Sequence, residues 1–378
     1  MAYFSEGLIH VHQSFFCCTL VSVCIKILFD AHAAETWSAM KIVAHSRPAV
    51  VAYQDLLRLH LDERASGLVG TIEERQRNGR TYLYERFRIG TEMMSRYLGE
   101  DKPELRQRLE RAEALKADAE ERRKRMARLT RTLRAEGFIT TDRETGSLLL
   151  AFSRAGVFRL GGTLVGTSAY SLYQGDLGVR MDYEELAQTG DIDFASFERL
   201  SVVLEDKVEE NPAEILKLLK FDPVPGINDR QIWKWRQSHS EAMVEFLTPA
   251  FGEEKVKPLP ALGVSAQALN YLNFLIADPI HAVALYRSGV LVQIPRPERF
   301  AIHKLIVADR RLGGPDQLKA RKDRAQAEFL VSVLSEDRPD DLAEAYQDAL
   351  SRGPRWRDRI KASLKRMPDT AERLSALV

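Results

Sequence analysis

Three carboxylates carry the most chemical promise in this chain of 378 residues: Asp191, Asp193 and Glu245. The two aspartates sit in TGDIDFA, alternating with Ile192 and Phe194, which is the pattern of a strand with one apolar face. Side chains at i and i+2 of a strand leave on the same side, so both carboxylates address one point. Paired hard oxygen donors suit Mg²⁺ or Mn²⁺, a cation that keeps part of its shell for water or phosphate oxygens. Glu245 interrupts the apolar run AMVEFLTP between Val244 and Phe246. A carboxylate carried into a core is costly unless it is paired or metal-bound. Two readings therefore stand for Glu245: a third ligand converging on the aspartates, or an ion pair with Lys234 or Arg236 across a hairpin. For the aspartates the alternative to a metal pair is a helix-capping or turn pair.

Upstream, LGGTLVGTSAY reads as a strand ending in Gly166-Thr167-Ser168 and opening a helix. Backbone N–H groups and hydroxyls at such a junction form a cradle for an anion, and the plainer alternative is a tight strand-to-helix turn. Gly161-Gly162 offers a second candidate in the same strand. The order matters more than any one motif: glycine turn, then D-x-D strand, then an acidic residue in a later apolar strand. No G-x-x-x-x-G-K-[ST] loop and no G-x-S-x-G elbow is present, which argues against a P-loop nucleotide hydrolase and an α/β-hydrolase. The eight histidines have no zinc spacing, and Cys17, Cys18 and Cys24 all lie in the first 30 residues, so neither a disulfide framework nor a cysteine zinc site supports the body.

These residues need a scaffold, and the apolar periodicity supplies one. Residues 48–66 read as a helix. Asn78-Gly79 marks a hairpin turn beside the β-prone Tyr82, Tyr84 and Phe87. Pro103 opens a long helix running to about Glu136 and stopped by Gly137. Its basic cluster Arg122-Arg123-Lys124-Arg125 reads as a solvated face, or as an arm for RNA phosphates. From about residue 147, strands and helices alternate. Expected elements are a helix over 147–155, a strand over 158–165, a helix over 167–173, a strand at 192–194 and a helix over 197–219. Hairpins follow at 232–236/242–247 and at 283–285/290–294. Trp233 and Trp235 share a strand face, as core or as a stacking platform. After Pro297 the pattern turns helical: 298–311, 316–335 after the break at Gly313-Gly314-Pro315, and one or two more helices over 339–377.

The expected fold class is α+β, with a central mixed sheet, an N-terminal long helix and a C-terminal helical bundle. The expected divisions are 1–39, 40–146, 147–296 and 297–378. Residues 1–39 contain the apolar run Ser14–Phe29 and read as an upstream extension or a signal-like segment, with Met40 resembling a natural start. The net charge of +1 demands neither nucleic acid nor a membrane surface for the chain as a whole. A cytoplasmic protein without a membrane partner is expected.

Residues 155–330 resemble the nucleotidyltransferase-fold superfamily, which is similar to DNA polymerase beta, through LVGTSAY, TGDIDFA, VEFLTP and PERFAIHKL. These segments look like those of a bacterial branch of uncharacterised nucleotidyltransferases, and the likeness reaches RTYLYERFRIG and RYLGE. A more distant similarity links the chain to abortive-infection nucleotidyltransferase toxins. The resemblance implies transfer of a nucleoside monophosphate from an NTP to an acceptor hydroxyl of RNA, protein or a small molecule, tRNA being one candidate. Asp191, Asp193 and Glu245 would hold the metal, and Gly166, Thr167 and Ser168 the terminal phosphates. Lys304 in HKLIVADRR would neutralise phosphate charge, and Asp323 in KARKDRAQ would hold Lys304 or assist proton transfer. Two departures bear on the acceptor chemistry and the exact phosphate contacts rather than on the metal site: Gln326 stands where the toxin pattern has a second Asp, and the glycine turn reads Gly-Thr rather than Gly-Ser or Gly-Gly. The alternative is a non-catalytic nucleotide- or RNA-binding module on the same fold.

Overall fold

Four phenylalanines, Phe152, Phe158, Phe194 and Phe246, gather under one face of the central sheet. Phe194 lies 4.9 Å from Phe152 and 6.1 Å from both Phe158 and Phe246, ring centre to ring centre. All four are buried. This cluster fixes the sheet's register, because a one-residue slip would carry the intervening carboxylates into the core. The computed structural model describes residues 42–377 except 65–70, 78, 90–91, 182–190, 196–209, 226–230, 241, 261 and 314–316. Residues Val43–Val378 form a single unit. The expectation for residues 1–39 lies outside the described residues.

The described residues open with α1 (Arg47–Arg64) and a three-stranded antiparallel sheet, β1 (Thr71–Arg77), β2 (Arg80–Ile89) and β3 (Glu92–Glu100). The long helix α2 (Pro103–Ala135) follows, with proline at its first turn as the sequence implies. Its second half lays Met126 and Leu133 against Ala49, Tyr53 and Leu56 of α1. In the basic cluster Arg122 is partly buried and Arg123, Lys124 and Arg125 are exposed, Arg125 reaching Asp55 at 3.2 Å and Lys124 reaching Glu120 at 3.4 Å. Helix α3 (Arg143–Arg154) is capped by Asp142, whose carboxylate accepts from the N–H groups of Glu144 and Thr145.

The central sheet has seven strands: β4 (Thr163–Val165), β5 (Asp191–Ala195), β6 (Phe221–Pro223), β7 (Lys234–Gln237), β8 (Met243–Pro249), β9 (Val256–Leu259) and β10 (Val264–Leu269). The path runs β4-β5-β8-β10-β9. β4 is antiparallel to β5, β5 is parallel to β8, and β10 is parallel to the end of β8. β7 joins the start of β8 antiparallel and carries β6 beyond it. Short helices follow β4, namely α4 (Gly166–Tyr170) and α5 (Tyr173–Leu177); α6 (Pro212–Leu218) precedes β6, and α7 (Leu272–Leu275) follows β10. A separate hairpin, β11 (Ile280–Ala284) and β12 (Val290–Ile294), leads into the bundle α8 (Pro297–Arg311), α9 (Gln317–Asp337), α10 (Pro339–Ser351), α11 (Pro354–Leu364) and α12 (Pro368–Ser375).

The α+β class, the early long helix and the terminal helical bundle agree with the sequence. Differences have local causes. The strand expected over 158–165 is only Thr163–Val165, because Gly156 and Gly161 adopt φ of +86° and +85° and coil the chain ahead of it. The helix expected over 167–173 is two short helices. Of the helix expected over 197–219, residues 197–209 lie outside the described residues, and Pro212–Leu218 is helical. The C-terminal stretch divides into three helices, each opened by a proline, at 339, 354 and 368. Among the described residues, no helix is long and apolar enough to cross a membrane.

Candidate active site

Three strands place three charged residues in one row. Asp193 of β5 stands opposite Glu245 of β8, and Glu245 stands opposite Lys234 of β7. Their strand neighbours turn the other way: Ile192, Phe194, Val244, Phe246 and Trp235 are buried, while Asp193, Glu245 and Lys234 are only partly so. The row therefore sits on the sheet face away from the phenylalanine cluster. Lys234 Nζ lies 2.6 Å from Glu245 Oε1. Of the two readings of Glu245, the structure shows the ion pair with Lys234; the strand register also sets Glu245 beside Asp193. Arg236 instead stands opposite Met243. Asp191 lies two positions before Asp193, opposite Met243 in the other ladder of β8; its side chain lies outside the described residues.

Val165 at the end of β4 pairs with Asp193, which brings the next residue, Gly166, onto the aspartate. Gly166 has φ +68°, and a Cβ there would stand 2.5 Å from Asp193 Oδ2. The glycine is thus required by conformation and by space together. Gly166, Thr167 and Ser168 are partly exposed between buried Val165 and buried Ala169. The turn is closed by Ser171, whose N–H donates to Thr167 O and whose hydroxyl donates to Ser168 O at 2.9 Å. Gly161-Gly162, the second candidate turn, precedes β4 rather than following it, and Gly162 is buried against Val157.

Tyr170, which ends α4, ties this turn to the bundle. Its ring is fully buried, 6.1 Å from Phe300 of α8 and 6.3 Å from Phe329 of α9. One turn beyond Phe300, Lys304 places its ammonium 5.1 Å from the centre of the Phe300 ring. Lys304 Nζ donates to Asp323 Oδ1 at 2.6 Å, and Arg311 donates to Oδ2 of the same carboxylate. Lys304 is 8% exposed and Asp323 1%, so neither is a plain surface residue. Burial alone would raise the Asp323 carboxyl, but the charges of Lys304 and Arg311 and their hydrogen bonds hold it below its usual range. Gln326, one turn on, is completely buried. Beside them the His303 imidazole is pushed down to about 3 by burial and the Lys304 charge, so it is neutral at physiological pH.

The structure therefore brings Asp193 and Glu245 together on adjoining strands with Gly166 at the start of α4 beside Asp193, and Lys304 and Asp323 together on adjoining helices, while Tyr170 of α4 stacks on Phe300 of α8. Arg311 and Phe300 were not singled out by the sequence. Phe300 had a signal, its spacing one helical turn before Lys304. Arg311 had none beyond its place at the helix end. Trp235 is core, its buried indole N–H without a hydrogen-bond partner among the described residues, whereas Trp233 is partly exposed, with the Lys234 ammonium 5.9 Å from its ring centre.

The donor set at the row is all oxygen, which suits a hard divalent cation. Among the described residues, which leave out the Asp191 side chain, no group of three or more His, Cys, Asp or Glu is gathered tightly enough to hold a metal ion.

Comparison with known proteins gives one family. A model described as nucleotidyltransferase matches residues 143–351, a span that contains the glycine turn, the D-x-D strand, Glu245, Lys304 and Asp323. A search of curated proteins gives no match. The matched span covers more than half of the 378 residues, and the chain belongs to the nucleotidyltransferase family.

Proposed function

We propose that the protein transfers a nucleoside monophosphate from an NTP to an acceptor hydroxyl, with Mg²⁺ or Mn²⁺ as cofactor. The observation that carries this reading is the register neighbourhood of Asp193 and Glu245 beside a glycine whose Cβ would press on the Asp193 carboxylate. Asp191, Asp193 and Glu245 would hold the metal, which when bound supplies charge neutralisation on the phosphates and a lowered pKa for the attacking oxygen. The acceptor oxygen forms a bond to the α-phosphorus, and the bond to the bridging oxygen of pyrophosphate breaks. The hydroxyl proton passes to Glu245 once Lys234 has released it. Gly166, Thr167 and Ser168 receive the terminal phosphates, where the missing side chain lets the backbone approach and the two hydroxyls donate. Lys304, oriented by Asp323, contributes positive charge from the bundle side. Catalysis then rests on positioning and on charge arranged in advance. RNA, including tRNA, and protein are the acceptor classes, and the cytoplasm is the proposed setting.

The Lys234–Glu245 ion pair favours a second reading. If Lys234 never leaves Glu245, the chain binds nucleotide without turnover, as a sensing or RNA-binding module. The test incubates purified full-length protein with Mg²⁺ or Mn²⁺, each labelled NTP in turn, and total cellular RNA or protein extract, beside an Asp191→Ala/Asp193→Ala variant. Label reaching RNA or polypeptide only with intact aspartates supports transfer and names the acceptor class. Undiminished NTP binding with no transfer by any NTP supports the second reading. Growth arrest on expression, relieved by Asp193→Ala, would place the activity with the toxin-like systems.

A further inference from the structure

Away from the carboxylate row, a cavity of about 490 Å³ opens at the far end of β8. One wall is Ala250–Gly252, just past β8, with Asn270, Tyr271 and Asn273, just past β10; the other is Arg352–Trp356, at the start of α11. β8 and β10 are parallel, so their ends emerge on the same side. Glu245 lies five residues before Ala250, which at the usual strand rise puts the cavity roughly 16 Å from the row. The second wall lies beyond the span that matches the family model.

The lining has three kinds of group and one notable omission. Aromatic surface comes from Tyr271 and Trp356, whose ring centres are 4.7 Å apart edge to face, and from Phe251, which is 72% exposed. Carboxamides come from Asn270 and Asn273. Asn270 is fixed by the backbone of Gly252, to which its Nδ2 donates, whereas Asn273 makes no hydrogen bond among the described residues. Positive charge comes from Arg352 and Arg355. Arg352 is locked by two hydrogen bonds to Asp348 and lies over the Phe274 and Trp356 rings. Arg355 is exposed and has no ion-pair partner among the described residues. Among the described residues, no carboxylate lines the cavity.

Each group narrows the ligand. Arg355, unlike the Asp348-paired Arg352, has no partner among the described residues and calls for an anion. Aromatic rings favour a planar π-system, and arginine beside them adds to that preference. A carboxamide with unsatisfied donors and acceptor matches a base edge. Tyr271 is moreover held at φ +72°, a conformation that costs free energy for a bulky residue and recurs at ligand clamps. It is over-determined here: Arg359 donates to its hydroxyl at 3.1 Å, and Arg310 and Arg359 lie over its ring. The volume falls within the range of small-ligand pockets.

We propose that this cavity is a second nucleotide-recognition site, distinct from the carboxylate row, which stacks a nucleobase against Phe251, Tyr271 and Trp356, reads its edge with Asn273, and takes its phosphate on Arg355. The nucleotide is either free or part of a single-stranded RNA. The site needs no metal, so its test does not depend on whether the row transfers nucleotides.

The experiment measures binding of AMP, GMP, CMP, UMP and a five-nucleotide single-stranded RNA to the full chain in EDTA, by equilibrium dialysis. Arg355→Glu and Phe251→Ala, both at exposed positions, are expected to weaken binding about tenfold or more, Asn273→Ala to blur base preference, and Asp193→Ala to change nothing. Binding of mononucleotides identifies a free nucleotide as sufficient; binding of the RNA alone identifies the strand as the ligand. Three outcomes would overturn the proposal: no binding of any probe at millimolar concentration, binding that Arg355→Glu and Phe251→Ala leave intact, or binding that Asp193→Ala abolishes.

Discussion

Gly166 and Asp193 lie so close that a methyl group at residue 166 would come 2.5 Å from Asp193 Oδ2 and push that carboxylate aside. The contact follows from pairing, since β4 ends opposite Asp193 and the chain turns immediately afterwards. The turn needs φ +68°, where any side chain costs about 1–2 kcal/mol.

Gly166→Ala should therefore displace the Asp193 carboxylate and harm transfer far more than folding. Nucleotidyl transfer is expected to fall by on the order of 100-fold, the usual consequence of misplacing a reacting group by about an ångström. The melting temperature should drop by only a few degrees, in keeping with ~1–2 kcal/mol in a chain of this size. Transfer at the wild-type rate in a folded Gly166→Ala protein would show that the turn does not shape the site.

What the sequence made legible follows from the range of the interactions. The D-x-D strand and the Glu245 strand show in the alternation of Ile192, Phe194, Val244 and Phe246, because half-buried strands leave a period of two. The ion pair of Glu245 with Lys234 was open as one alternative, since a hairpin brings near neighbours together. Sequence periodicity does not say which strand lies beside which. The parallel pairing of Asp193 with Glu245 joins residues about fifty positions apart and had to be supposed. The Lys304–Asp323 pair came from resemblance alone; helix spacing gives no reason for a residue of α8 to meet one of α9. The Tyr271–Trp356 cavity was not legible at all. Its walls are some eighty residues apart, and aromatic, amide and arginine residues read one at a time as ordinary surface.

Asp323 is a buried carboxylate shared by two cations, Lys304 and Arg311. Removing one member of such a set leaves an uncompensated buried charge, which costs about 3–5 kcal/mol. Asp323→Asn should lower unfolding stability by about that amount in urea, with Lys304 losing its anchor. Lys304→Met combined with Asp323→Leu removes the buried pair together and should recover part of the loss. A double variant as unstable as the sum of its single changes would show that the two residues act independently.

Glu298 makes a prediction about pH. It is 2% exposed, neither carboxylate oxygen accepts a hydrogen bond from another residue among the described residues, and Arg338 is 3.7 Å from Oε1. Arg338 is itself held by Asp176 at 2.9 Å. Burial raises the Glu298 carboxyl above its ordinary value of 4.5; its own backbone N–H and Arg338 pull it down less than burial pushes it up, and Asp176 and Asp341 push it further. The fold thus favours the protonated acid. Above pH 4.5 the unfolded chain releases this proton before the folded chain does, so Glu298 subtracts stability as the pH rises through its folded pKa, and by a constant amount beyond. Glu298→Gln keeps the shape and cannot ionise. Its melting temperature should equal that of the natural protein near pH 4 and exceed it at pH 7 to 8, the gap opening between those limits. A gap of the opposite sign, or one that does not change with pH, would mean that Arg338 compensates the buried charge fully.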